Sequence, residues 1–297
     1  MKVFSLKPQI KGAFTLVEML VAMAVFLVLA AVVMQMVFTT TQITQSQKQQ
    51  MDSITEARQA LDRIKLDWNS RVRRDDVMAN FIKQNGNDQI QLLCQASSYD
   101  GTRKFLSAVS YRIREQRVNA DDLLYVMERG VVGFDWQVTN TGTNTFAMPT
   151  FTSSSSKNDY ELLAKSVFRL EFCFMKKVKN AGDSPYTTQI GDVREDNWQS
   201  LGLYDNGDIT SLHLDSPNFS GLVVAVAVLD EKARKILSNA QLQELAESQA
   251  LPDVNDGETP LAKWTPLITS LNNFPADIPR PAAGSVRVYQ RVFYSNE

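Results

Sequence analysis

The sequence predicts an α+β protein: a long N-terminal helix, membrane-spanning in its first half and amphipathic in its second, packed on a mainly antiparallel β-sheet head. Three observations carry this. An apolar run extends from Phe14 to Phe38, with no charged residue between Met19 and Met34. No proline occurs between Pro8 and Pro149, so nothing breaks a helix that leaves the run. Beyond Asn80 the apolar spacing changes to alternation, the strand period.

The run Phe14–Phe38 rises roughly 37 Å as a helix, enough to cross a hydrocarbon core of about 30 Å with some tilt. Lys2, Lys7 and Lys11 precede it with no acid among them, which predicts a cytoplasmic N-terminus and an exported remainder. A cleaved secretory signal has a shorter apolar region and a small-x-small exit, whereas Ala22-Met-Ala24 falls in the middle of this run. A lipoprotein signal needs a cysteine at the cut, and none is there. A plain anchor fits the length but gives no reason for Glu18. An acid inside an apolar span costs about 2.5–3.5 kcal/mol and marks a function.

The stretch Lys11-Gly12-Ala13-Phe14-Thr15-Leu16-Val17-Glu18 resembles the prepilin-type cleavage and methylation motif. The resemblance implies that a prepilin peptidase cuts before the apolar run, that the new N-terminal residue is methylated, and that the fifth mature residue is Glu. A cut after Ala13 makes Phe14 the methylated residue and puts Glu18 fifth. The family normally has Gly before the cut. Here Gly12 stands one place early, and a cut after it would leave Glu18 sixth. By the same resemblance, Glu18 meets the free amine of a neighbouring subunit during assembly. The implied partners are the peptidase, other pilin or pseudopilin subunits and the inner membrane. The head then lies in the periplasm or outside the cell, and the mature chain passes into a filament.

The polar stretch Thr39–Gln50 carries one charge, Lys48. Met51, Ile54, Ala57, Leu61, Ile64 and Trp68 then recur at three- and four-residue steps, an amphipathic stripe. One helix is expected from Phe14 to Trp68, about 80 Å by rise. The division is a leader at 1–13, a membrane or filament-core helix at 14–38, its amphipathic continuation at 39–72, and a β-rich head at 73–297. The stretch from Glu56 to Trp68 resembles the J-type minor pseudopilins of type II secretion, in which a similar helix ends in an Asp followed by basic residues. Here these are Asp67 and then Arg71, Arg73 and Arg74. Taken singly, those charges read as a solvated helix end whose cations suit the negative pole.

In the head, strands are expected at Gln89–Cys94 and Phe105–Ile113. Two more follow at Leu123–Glu128 and Val131–Val138, split by Arg129-Gly130. The order "Val109-x-Tyr111-Arg112, then Leu124-Tyr125-x-x-Glu128-Arg129" also resembles the J-type heads. Loop insertions are placed at about 140–160, 180–200 and 250–284, the last holding six of the ten prolines. Glu161–Met175 reads as one strand and Leu222–Leu229 as a central buried strand. Glu231–Gln249 has helical period, and Ser285–Tyr294 alternates and closes the sheet. The two ends of the chain, Ala-Phe-Thr-Leu-Val-Glu-Met-Leu-Val-Ala from Ala13 and Val-Arg-Val-Tyr-Gln-Arg-x-Phe-Tyr from Val286, resemble the Verru-Chthon cassette protein C family.

The net charge of −2, or −5 once a leader holding three lysines is removed, gives no reason to expect nucleic acid as a partner. Cys94 and Cys173 form no disulfide framework and no zinc spacing. They are buried thiols or, in an exported head, one disulfide. His213 is the only histidine and stands in no catalytic motif. Asp205-Asn-Gly-Asp208 and Asp253-Val-Asn-Asp256-Gly-Glu258 are turn signals first and weak calcium candidates second, since calcium takes about six to eight oxygens. No other cofactor is expected. The function expected is non-enzymatic: a minor pilin or pseudopilin seated at or near a filament tip. The alternative is a minor pilin whose head binds a ligand, in adhesion or DNA uptake.

Overall fold

A computed structural model describes residues 15–74, 77–83, 86–96, 104–117, 123–134, 160–178, 187–191, 204–206, 209–212, 214, 218–254 and 257–295. By its internal packing the chain divides into two units, residues 1–48 and 49–297.

In the first unit the described residues are helical from Leu16 onward, and their apolar side chains are exposed. This helix, α1, runs from Leu16 to Asn69. It meets the length and composition needed to cross a membrane. It holds no Gly or Pro, so no residue along it removes a hydrogen bond or loosens the backbone.

The second unit starts with the remainder of α1. Ser53, Ala57, Ala60, Leu61, Ile64, Asp67 and Trp68 are buried. The buried stripe therefore begins after Met51, which is exposed. The small Ala57 and Ala60, both fully buried, let the helix backbone approach the sheets closely.

Two antiparallel sheets follow, where the sequence had suggested one. The first has seven strands in the order β5-β4-β3-β2-β1-β9-β8: β1 Ala79–Ile82, β2 Gln89–Cys94, β3 Leu106–Arg117, β4 Leu123–Phe134, β5 Tyr160–Ala164, β8 Tyr204–Asn206 and β9 Ile209–Leu212. The second has four, β11-β10-β6-β7: β6 Val167–Val178, β7 Thr187–Gly191, β10 Phe219–Val228 and β11 Arg287–Tyr294. β10 is central in its sheet, as its eight-residue apolar run suggested, and every residue from Gly221 to Val228 is buried. β11 pairs with β10 alone and ends the second sheet.

Five expectations are corrected. Arg129-Gly130 does not split a strand, because β4 runs through it with Arg129 opposite Tyr111 and Gly130 opposite Ser110. Glu161–Met175 is not one strand. The chain leaves the first sheet at Ala164 and enters the second at Val167, turning at Lys165-Ser166. The polar stretch at 180–200 contains β7. The region 250–284 contains two α-helices, α4 (Pro260–Thr269) and α5 (Arg280–Ala283). Two of its prolines stand where a helix readily accepts them, whereas Pro266 stands inside α4. Pro260 and Pro281 lie in first turns, where the missing N–H has no partner to lose. Likewise Glu231–Gln249 is two helices, α2 (Glu231–Ile236) and α3 (Asn239–Ala246). Ser238 caps α3 in a capping box with Gln241.

One core joins α1 from Ala57 to Trp68 with the inner faces of both sheets, including Phe81, Tyr111, Phe172, Phe174 and Phe293. Phe81, Phe172 and Phe174 pack as tilted and edge-on rings with centroids 4.8–5.5 Å apart. A second core lies between the other face of β10 and helices α2–α5, around Leu245, Leu251 and Trp264.

Candidate functional site

There are two separate candidate sites: the start of α1 in the first unit, and the seat of the later half of α1 within the second.

At the start, Thr15 precedes the first helical residue. Its Oγ1 accepts the Glu18 N–H at 3.3 Å. This is the N-cap interaction, with Glu18 in the third helical place. The helix pole also favours an acid there. Glu18 thus sits in the first turn, with exposed Leu16, Val17, Met19 and Leu20 around it. The carboxylate has local support from the helix end but, among the described residues, no ion pair is formed with it. The capping role is a feature sequence reasoning missed, and the Thr15-x-x-Glu18 spacing was its signal.

Along the later half of α1, polar residues beside the apolar stripe, and Trp68 within it, make hydrogen bonds and ion pairs to the sheets. Glu56 Oε2 accepts the N–H groups of Lys165 and Ser166 at 3.0 and 2.8 Å and the Ser166 hydroxyl at 2.8 Å. It thereby holds the turn where the chain crosses between sheets. Asp62 pairs with Arg291 of β11. Trp68 is fully buried and donates its indole N–H to Tyr294 O at 3.0 Å, with its ring against Phe219 and Phe293.

Asp67 is the most heavily engaged. Arg129 meets it as a fork, Nε to Oδ2 at 2.7 Å and Nη2 to Oδ1 at 2.9 Å. Tyr111 donates its hydroxyl to Oδ2. Cys94 donates its thiol to the Asp67 carbonyl at 3.1 Å. Burial, and then the Asp67 charge, push the Tyr111 hydroxyl well above its ordinary value, so it stays a donor. Arg71, also buried, places Nη1 on Trp68 O and Nη2 on Ser295 O, both at 2.6 Å. Asp67 and Arg71 are therefore not a solvated helix end. A buried carboxylate is tolerable only when paired and hydrogen-bonded, and β3 and β4 supply both partners. The signal lay in the two strand motifs: Tyr111 and Arg112 stand directly opposite Arg129 and Glu128. The second pair closes as an ion pair at 3.1 Å.

Residues 10–34 match the family described as the prokaryotic N-terminal methylation motif. The chain carries that methylation motif. No curated protein and no solved structure matches it. The motif spans Gly12, Ala13, Phe14 and Glu18 and ends within the exposed apolar part of α1. Of these four residues, Glu18 alone is among the described ones, and the cut positions at Gly12 and Ala13, with Phe14, lie outside them.

The remaining candidates are scattered. No disulfide joins Cys94 and Cys173. Cys94 belongs to the inner core, whereas Cys173 packs with Met175 and Val223 on the opposite face of β6. Burial, above all, pushes the Cys94 thiol far up, away from the reactive thiolate. Asp253 is committed to Arg169 at 2.7 Å. Asp208 and Asp256 lie outside the described residues, as does His213. Asp205 stands on β8, opposite Thr210. Among the described residues, no three His, Cys, Asp or Glu side chains gather as a metal would need.

Proposed function

We infer that this protein is a membrane-anchored, non-enzymatic pilin- or pseudopilin-like subunit. A prepilin peptidase would cut it after Ala13, and it would assemble with other such subunits through α1. The observation that carries this reading is the methylation motif at residues 10–34, laid over the start of an exposed apolar helix whose acid stands in the first turn. Glu18 then serves as the partner for the amine of another subunit's Phe14, because a carboxylate within a bilayer is stable when it meets a cation. The N-terminus faces the cytoplasm and the head is exported.

A place at or near a filament tip is supported by the head, whose two sheets and four added helices go beyond what a repeating subunit needs. The likeness of the chain ends to the Verru-Chthon cassette protein C family is part of the same reading.

Intact mass of the full chain recovered from native membranes tests the processing. A chain that begins at Phe14 and carries one methyl group is expected, and one still beginning at Met1 overturns the reading. Glu18→Ala tests the assembly role. The variant should insert into the membrane normally and fail to co-purify with other prepilin-like chains. Incorporation equal to wild type would overturn that role.

A further inference from the structure

The second sheet ends at β11, and that edge stands open. β11 pairs with β10 without a register shift, and among the described residues no strand lies on its other side. The Ser295 N–H donates to Ser220 O at 2.9 Å, which makes theirs a hydrogen-bonded pair. In an antiparallel ladder such pairs alternate with non-bonded ones. Phe293, Arg291, Tyr289 and Arg287 therefore bond to β10, while Tyr294, Val292, Gln290 and Val288 turn their N–H and C=O groups outward. Trp68 takes Tyr294 O at 3.0 Å. The backbone groups of Val288, Gln290 and Val292 meet no backbone partner among the described residues, and all three residues are partly exposed. Such an edge is a template for another strand. β11 has neither a proline nor a bulge to blunt it.

The later half of α1 runs beside this edge in the same direction. Burial pushes the Tyr289 hydroxyl up, and the charges of Arg287 and then Arg58 oppose it, so both guanidinium groups lie near that ring. Further on, Asp62 pairs with Arg291 and Trp68 meets Tyr294. The lengths agree: Arg58 to Trp68 as helix and Tyr289 to Tyr294 as strand both rise about 15–17 Å. Lys65 stands on the helix face between Asp62 and Trp68, which both touch β11. Arg58, Lys65 and Arg287 are exposed, and among the described residues none of them pairs with an acid. Arg287 places Nη1 on the carbonyls of Gly284 and Val286 at 2.9 and 2.7 Å, which leaves its charge uncancelled. Arg58, Lys65, Arg287 and Arg291 thus share one carboxylate, that of Asp62.

We propose that the open edge of β11 and the basic face of α1 beside it dock an extended acidic segment of a partner protein, which joins the sheet as a further strand. The main chain of that segment supplies partners for Val288, Gln290 and Val292. Its side chains alternate between the two faces of the sheet, so carboxylates at every second place lie beside Arg58, Lys65 and Arg287. The backbone pattern points to a polypeptide. Outward N–H groups need acceptors and outward C=O groups need donors, and a phosphate chain offers acceptors only. The charge points away from a second copy of this edge, which sets arginine against arginine. The proposal is independent of where the chain is cut and of Glu18.

The test uses the detergent-solubilised full chain and a capped peptide of alternating Glu and Thr, with a Gln–Thr peptide as the control. The acidic peptide should bind saturably, more weakly as salt is raised, and should slow amide exchange at Val288, Gln290 and Val292. The double variant Arg58→Glu, Lys65→Glu changes exposed side chains alone and should weaken binding about tenfold or more. Absence of saturable binding would overturn the proposal, as would equal affinity for the two peptides or equal binding by wild type and the double variant. Binding that leaves exchange at 288, 290 and 292 unchanged would overturn it too. A single-stranded oligonucleotide that displaces the acidic peptide and binds more tightly would give this surface to nucleic acid instead.

Discussion

Arg129, in the middle of β4, grips Asp67, in the last turn of α1, with both prongs of its guanidinium. The pair is buried on both sides. Replacing Asp67 with Asn, or Arg129 with Met, removes the two-pronged ion pair from one buried charge. Each single change should cost about 3–5 kcal/mol. The Asp67→Asn, Arg129→Met double variant should recover part of that loss. Chemical denaturation of the four proteins in a double-mutant cycle measures the coupling.

Glu56 gives a smaller effect of a different kind. Its carboxylate takes three hydrogen bonds from Lys165 and Ser166. Glu56→Ala strands the donors of the turn and should cost about 1–3 kcal/mol. Exchange of the two turn amides should rise before any strand amide does. Equal rises across β5 and β6 would show that Glu56 acts on the sheets and not on the turn.

Gly221 tests the edge of the second sheet. A Cβ there would stand 2.4 Å from Phe293 O and 3.1 Å from Tyr294 Cα, both backbone. Neither atom can swing aside as a side chain does. Gly221→Ala should push the end of β11 away from β10 and loosen Trp68, whose indole is bonded to Tyr294 O. Trp68 fluorescence should shift to the red relative to wild type.

The cysteines should be silent. Cys94 and Cys173 are both fully buried, in different clusters. Thiol reagents should modify neither in the folded chain and both in denaturant. Reducing agent should leave the melting temperature unchanged.

The sequence made α1 legible because its signals are local: an apolar run, a basic flank, and the absence of proline. The central strand β10 was legible for the same reason, being a short Val-rich run too brief to span a membrane. Other elements depended on partners remote in the chain. Glu161–Met175 reads as one strand because nothing in its composition marks Lys165-Ser166 as a crossing. The marker is Glu56, 109 residues away by the bond to Lys165. Asp67 looked solvated because its partner, Arg129, lies 62 residues on. The proline-rich region reads as irregular because a proline at a helix start, such as Pro260 or Pro281, has the same local composition as one in a loop. Cys94 and Cys173 could not be placed without knowing that β2 and β6 belong to separate sheets.

The contacts of α1 divide between those sheets. Asp67 reaches β3 and β4 in the first, Asp62 and Trp68 reach β11 in the second, and Glu56 holds the crossing between them. A pull along the axis of α1 therefore enters both sheets together, with no single strand bearing the load. The helix acts as a tension member stitched to its anchorage at several points along its length. Cutting one stitch shifts the strain to the others before the anchorage gives way.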